Sequence, residues 1–355
     1  MILQQTYQNK KVLVTGHTGF KGTWLIQILH QLGAIVKGIS LAPEQHDDLY
    51  NVLNGDNFCY TSIIGDIRDR KFIYSEIIRF QPDYIFHLAA QALVRPSYEY
   101  PIETFDTNVM GTIHVMDAVR DLQKKCNVIL ITTDKVYENL ELGLAFKEED
   151  KLGGYDPYSA SKAACEIAIS SYRNSYFNPK DYALHQKSIA SVRAGNVIGG
   201  GDMSVDRIIP DIVRAIQRNK AVAIRNPNAI RPWQHVLEPL AVYLLLGQEM
   251  NIDPVKYATA FNIGPESEDA LSVIQVVEQF ILSFGNGSYE VITNDKAVHE
   301  AGLLLLDNSK LKSYLQWKPK WSAAQAIQYT AEWYANTQID AAEKCKQQIT
   351  HYFSL

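Results

Sequence analysis

Apolar residues in this chain fall into short unbroken runs separated by longer amphipathic stretches, and that alternation persists through the first half. Residues 11–15 form a β-rich run, and residues 24–29 set Trp24, Leu25, Ile26, Ile28 and Leu29 in a helical pattern around Gln27. Strand-like runs follow at 34–40, 63–69, 84–91 and 128–131, and the interval 74–126 otherwise reads as helix, strand, helix. Short apolar runs without polar alternation suit strands covered on both faces. Strands alternating with helices predict an α/β fold built on a Rossmann-type doubly wound parallel sheet. A helix over 158–169 and a strand over 191–198 continue the series. The pattern then changes to short apolar segments over 258–322, broken by turn clusters such as Gly264-Pro265 and Gly285-Asn286-Gly287. An amphipathic helix over 322–352 closes the chain, with Ala326, Tyr329, Trp333 and Tyr334 at its apolar positions. These features predict a smaller, mixed α/β second domain. The division is placed between residues 1–190 and 191–355, with some later segments returning to the first domain.

Composition narrows the classes without choosing one. The 355 residues allow a large core and more than one domain, and the net charge of −5 carries no electrostatic footprint for nucleic acid. Cys59, Cys126, Cys165 and Cys345 are scattered, with no C-x-x-C pair, so neither a zinc site nor a disulfide scaffold is expected and a reducing cytoplasm fits. The first ten residues are mostly polar and do not form a signal peptide. No apolar run reaches the roughly 18–20 residues that cross a bilayer, so no membrane partner is expected.

Candidate chemistry begins where the first strand ends. Gly16-His17-Thr18-Gly19-Phe20-Lys21-Gly22 lies between that strand and a helix, spaced G-x-x-G-x-x-G. Glycines there let the backbone approach a pyrophosphate, and the helix start offers it free N–H groups. The second strand should end near an adenosine ribose; it ends at Ser40, neither an acid for NAD nor a base for NADP. Asp66, beside Ile67, is placed to accept from the adenine amino group. Leu88, Ala89 and Ala90 close the next strand with mostly small side chains on which a flat cofactor can lie. His87, inside that apolar run, reads as a hydrogen-bonded core residue. Asn108 either braces an active-site loop or caps a helix.

The densest cluster follows Val128-Ile129-Leu130-Ile131. Thr132-Thr133-Asp134-Lys135 stands at the carboxyl end of that strand, where ligands bind in open α/β sheets. Tyr158 and Lys162, four residues apart, share one helix face. A phenolate at Tyr158, favoured by Lys162 and by a positive nicotinamide ring, can take a proton from an alcohol as hydride leaves. Thr132 or Thr133 can hydrogen-bond the same hydroxyl. The ketone so formed acidifies the hydrogen on the next carbon. Lys135 can remove it and Asp134 can protonate a leaving hydroxyl one carbon further on. Three glycines, Gly199 to Gly201, follow the strand over 191–198 and predict close backbone approach to a ligand or a mobile loop. Arg207, Arg214, Arg218, Arg225 and Arg231 then fall within 25 residues, a set suited to gripping a diphosphate. Arg207 and Arg231, each beside a loop signal, are the substrate candidates among them.

Together these motifs resemble the extended short-chain dehydrogenase/reductase superfamily of NAD-dependent epimerases and dehydratases, and within it the nucleotide-sugar 4,6-dehydratases that act on CDP-glucose. The resemblance rests on HTGFKG at 17–22, LAAQALVRPSY at 88–98, TNVMGT at 107–112, TTDKVYEN at 132–139, LGGYDPYSASK at 152–162, RAGNVIGGGD at 193–202, DRIIPD at 206–211 and RNPNAIRPWQHVLEPL at 225–240. It implies a cytoplasmic hydro-lyase that converts CDP-D-glucose, or a related nucleotide-sugar, to the 4-dehydro-6-deoxy sugar for deoxysugar and surface-polysaccharide synthesis, with NAD retained through the cycle. It implies Thr132 or Thr133, Asp134, Lys135, Tyr158 and Lys162 as the catalytic set. It also implies Asn196, Arg207 and Arg231 as nucleotide-sugar contacts, and Gln91 and Arg95 in the 88–98 motif join them as candidates. A homodimer or homotetramer joined through a helix bundle containing the Tyr158 helix is implied as well. The Asp-Lys pair separates this reading from its alternative, a nucleotide-sugar 4-epimerase. Related dehydratases carry Asp-Glu there, and epimerases typically lack the pair. The chain departs from the resembled pattern at Leu142 and Met203.

Overall fold

The computed structural model describes residues 2–140, 143–292 and 304–354, so Leu142 lies outside the described residues. Seven strands make one sheet: β1 (Lys11–Thr15), β2 (Ile35–Ser40), β3 (Thr61–Ile64), β4 (Tyr84–His87), β5 (Cys126–Ile131), β6 (Lys187–Ala194) and β7 (Ala260–Ile263). All neighbours are parallel, in the order β3-β2-β1-β4-β5-β6-β7. Alternate residues of each strand feed opposite faces. Val12 and Val14 pack on one side with α1 (Phe20–Gln31), and Leu13 packs on the other with α2 (Arg70–Phe80) and α3 (Gly111–Arg120). α4 (Pro157–Ser175) covers the α2/α3 face through Cys165 and Ile169. The order reverses between β1 and β4, so their carboxyl ends open a crevice at the switch point. His87, at the end of β4, hydrogen-bonds Thr15 at 2.7 Å and Thr112 at 3.1 Å, and burial pushes its imidazole down to about 3.

A separate apolar cluster joins α5 (Ile208–Gln217), α7 (Val273–Phe284) and α8 (Ala323–Ala335) around Trp233. Between them, α6 (Leu237–Ile252) returns to the main sheet, as does α9 (Ala341–Phe353). The 190/191 division passes through the middle of β6, whose eight residues belong to one strand. Among the described residues no helix is long and apolar enough to cross a membrane.

Three expectations are corrected. The strand read over 191–198 is two pieces. β6 ends at Ala194, the chain turns at Gly195 and Asn196, and Val197–Ile198 pairs with Gln234–His235 outside the main sheet. The closing helix over 322–352 is likewise two, because Asn336 leaves the helix in an extended conformation and Asp340 caps a new one. The three glycines approach side chains of the protein rather than an open crevice. A Cβ on Gly200 would stand 2.1 Å from the Trp333 ring, and one on Gly201, at φ +82°, 2.4 Å from Leu49. Trp24 also donates its indole N–H to the Gly200 carbonyl at 3.1 Å.

Candidate active site

The loops leaving β1, β4, β5 and β6 meet over the crevice. Gly16 has φ +74°, and a Cβ there would stand 2.7 Å from the Ala89 nitrogen; one on Gly22 would meet the Gly16 carbonyl oxygen at 2.0 Å. Only bare backbone lets these loops close. Gly19 caps α1 with no side-chain acceptor, so the first-turn N–H groups are left for a ligand. That cradle fits the pyrophosphate of NAD. Thr18 donates to Ser40 at 2.8 Å and to the Leu41 carbonyl at 2.9 Å, tying the loop to the end of β2. Leu88 to Ala90 line the β4 side, half-buried, and the Ala89 N–H donates to the Thr15 hydroxyl at 3.3 Å.

Other residues read as cofactor contacts are held by the protein itself. His17 is fully buried at 3.0 Å from Ser62 with its ring packed on Gly38, and burial pushes it down to about 4. Asp66 accepts from the Arg68 backbone N–H at 2.8 Å and pairs with the Arg68 guanidinium at 2.6 Å, the hydrogen-bonded turn Asp commonly makes. Ile67 is core, filling the space a side chain at Gly111 would need. Phe20 packs beneath Gly199. Asn108 sits in a π-helical turn, Asp106–Met110, where it accepts from the Gln91 N–H at 2.8 Å and donates to Ser161 at 2.8 Å. It braces the β4 loop against α4, the first of its two sequence readings. Gln91 turns its side chain back onto Leu93 and Thr104.

The catalytic candidates gather around Asp134, which is fully buried. Its Oδ1 accepts from Thr133 at 2.9 Å and from the Lys135 ammonium at 3.0 Å, while Oδ2 is buried with no hydrogen-bond partner among the described residues. Lys135 also donates to Asn196 Oδ1 at 3.3 Å. Burial pushes the Tyr158 phenol up to about 12; a hydrogen bond with Thr133 and the charge of Arg207 work against that rise, while Asp134 and Asp156 add to it. Lys162 turns its ammonium to the carbonyl of Ile131 at 3.2 Å, and burial lowers its pKa. Lys21 reaches the same cluster: burial, then the charges of Arg207 and Lys162, pull it down to about 7, with Asp134 opposing.

Thr132 and Thr133 face different ways. Thr133 meets Asp134 and Tyr158, whereas Thr132 donates to Glu166 at 2.5 Å, behind the cluster. On the substrate side, Arg207 pairs with buried Asp202 at 3.0 Å, and Arg95 and Arg225 both reach Asp206, at 2.9 and 3.2 Å. Arg231 is buried and donates to the Ile230 carbonyl at 2.9 Å. Sequence reasoning passed over Asp202 and Glu166. Glu166 carried a signal, since it continues the Tyr158, Lys162 spacing by one more helical turn.

The family model described as GDP-mannose 4,6 dehydratase matches residues 13–330. A CDP-glucose 4,6-dehydratase of Salmonella typhimurium is 44% identical over 334 residues, spanning 94% of this chain and 93% of that protein. Among solved structures, a Thermus thermophilus UDP-glucose 4-epimerase with NAD superposes with a TM-score of 0.76 at 22% identity, covering 93% of this chain and 100% of that one. A dTDP-glucose 4,6-dehydratase of Bacillus anthracis with NAD gives 0.75 at 23% identity, over 93% and 97%. These two structures share the fold.

Proposed function

The chain belongs to the GDP-mannose 4,6-dehydratase family, and we propose that its crevice removes water from CDP-D-glucose to give CDP-4-dehydro-6-deoxy-D-glucose. The observation that carries this reading is the meeting of Asp134-Lys135 with Tyr158 in one cluster, in a chain 44% identical to a CDP-glucose 4,6-dehydratase along nearly its whole length. The product is a precursor for deoxysugars of surface polysaccharide.

Gly16, Gly19, Gly22 and the first turn of α1 would hold the NAD pyrophosphate, with Thr18, Ser40 and Leu88 to Ala90 lining its path. NAD held there supplies the hydride acceptor for carbon 4 of the glucosyl unit and the donor that returns that hydride to carbon 6. Tyr158 takes the proton of the 4-hydroxyl, and Thr133 holds the same oxygen. The ketone makes the hydrogen on carbon 5 acidic. Asp134 and Lys135 are in contact at 3.0 Å, so the two can act together on neighbouring carbons. The amine of Lys135 removes the carbon 5 proton and the acid of Asp134 protonates the departing 6-hydroxyl, so water leaves. Lys135 then gives its proton back to carbon 5. Over the cycle Tyr158 gains one proton and Asp134 loses one; Thr133, bonded to both, returns it. Arg207, Arg231 and Arg95 grip the diphosphate, and Asn196 orients Lys135 towards the sugar.

We place the nucleotide-sugar unit in the α5, α7 and α8 cluster, and the NAD unit in the seven-stranded sheet. The four cysteines are free, which suits the cytoplasm. Ile102, Phe105 and Met110 on the helical stretch 101–110 and Ile167 on the neighbouring α4 are exposed, and they form the face of a homodimer. The direct test incubates the protein with NAD and CDP-, dTDP-, UDP- or GDP-glucose in parallel. A 4-keto sugar, read by its absorbance in alkali, is expected from CDP-glucose first. A folded, NAD-loaded protein that yields none from CDP-glucose overturns the reading.

A further inference from the structure

Behind the catalytic cluster lies a buried polar assembly that the reaction as described does not use. Glu166, on α4, stands one turn beyond Lys162 and two beyond Tyr158. Its carboxylate accepts from Thr132 at 2.5 Å, from Ser191 at 2.9 Å and from the Arg193 guanidinium at 2.8 Å, with both charged side chains at most 5% exposed. Arg193, on β6, in turn donates to the Tyr137 hydroxyl at 2.8 Å and to the Glu148 carbonyl at 2.9 Å. Tyr137 in turn donates its hydroxyl to Asn262 Oδ1 of β7 at 2.6 Å.

Thr132 is the residue before the Thr133-Asp134-Lys135 turn, and Tyr137 is the residue after the short 3₁₀ segment Asp134–Val136. One ion pair therefore holds the turn at both its entrance and its exit. The carboxylate of that pair rides on the helix that carries Tyr158. We propose that Glu166 and Arg193, acting through Thr132 and Tyr137, are positioning residues that set Asp134 and Lys135 against Tyr158 for elimination. This rests on the dehydratase reading. Among the described residues the pair bonds Thr132, Ser191, Tyr137 and Glu148, and none of the cofactor candidates.

Two physical arguments support this role. A buried ion pair is on average no more stabilising than apolar side chains of the same volume, so stability alone does not account for charge here. Its burial works to raise the Glu166 pKa, but Arg193 beside it and the hydrogen bonds from Arg193, Thr132 and Ser191 more than offset this and hold it below the usual carboxylate range. The assembly thus stays ionised and directional. Second, the reaction asks two groups on a strand-end turn and one on a helix to act in turn on adjacent carbons of a single sugar. Misplacement of reacting groups by 1 Å costs on the order of 100-fold in rate.

The test uses changes that remove one hydroxyl and keep shape. In Thr132→Val and Tyr137→Phe, kcat on CDP-glucose should fall about 10-fold to 100-fold while KM stays within about twofold, as expected for lost alignment. Oxidation of the sugar at carbon 4, which needs Tyr158, should outlast elimination, so reduced nicotinamide should accumulate during turnover. Thr132→Ser, which keeps the hydroxyl, should restore turnover to within about threefold of the parent, because the bond to Glu166 re-forms. Parent rates in both variants would overturn the proposal, as would a loss matched by KM or one without accumulation. Crystal structures of the two variants give a readout free of turnover: residues 133–136 should shift relative to Tyr158. If they stay in place the clamp is refuted, whatever the substrate proves to be, so its failure and that of the dehydratase reading are distinguishable.

Discussion

Asp134 and Lys135 are chain neighbours in unequal surroundings: the Asp134 side chain is 1% exposed and that of Lys135 28%. The carboxyl is sealed from water, and the Lys135 side chain keeps room to swing towards a sugar. Lys135→Ala should therefore leave oxidation at carbon 4 intact and stall the next step. We expect kcat for dehydration to fall about 100-fold to 10,000-fold, with reduced nicotinamide building up at once, the scale set by loss of one general base. A variant that keeps full turnover would remove Lys135 from the reaction. At this scale the sequence conveys residue type but not direction. Thr132 and Thr133 are the same residue in adjacent places in the extended chain just past the end of β5, so they point to opposite sides. Which one meets Tyr158 depends on the register of β5 against β6 and α4. Asp66 shows the same limit, because its carboxylate turns to the guanidinium of Arg68, a pairing that residue type alone does not announce.

The elements follow the apolar pattern closely where a run is long and both faces are covered. β1, β2, β4 and β5 stand where the runs are, since burial on two faces leaves few alternatives. The pattern fails where one residue redirects the chain. Gly195 and Asn196 interrupt an apolar run that would otherwise read as one strand, and that break carries Asn196 to Lys135. The glycines that follow suggest close approach to a ligand or a mobile loop, but the room at Gly200 is taken by Trp333 of α8, some 130 residues away in sequence. Gly200→Ala should thus destabilise the protein by about 1–3 kcal/mol, the usual cost of overpacking, without entering the catalytic cluster. Thermal unfolding checks this. An unchanged midpoint would mean the Trp333 ring gives way freely, and the packing described here would not hold.

For the whole molecule, the exposed apolar side chains say most about assembly. Ile102 is 86% exposed and Ile167 61%, far more than isolated apolar residues need be when others lie beside them. Sedimentation should show a dimer or tetramer, and Ile102→Asp combined with Ile167→Glu should shift it to monomer, since a like-charged pair replaces the shared apolar face. A monomeric parent at micromolar concentration would sink the helix-bundle interface. That face was reached in the sequence only through family resemblance, because exposure cannot be read from a helix that is apolar on several sides. The edge strand β7 was harder still, as four residues within an irregular stretch give no period to read.

That late strand and α9 have a consequence in time. A ribosome delivers the glycine loop well before the strand that closes the sheet. Yet the sheet behind it lacks its outer edge until residues 260–263 emerge, and Gln27 of α1 donates to the Ala342 carbonyl at the head of the final helix. The segment that greets the nucleotide is thus completed by one made 315 residues later. A nascent chain released early would hold the right loop on an unfinished wall.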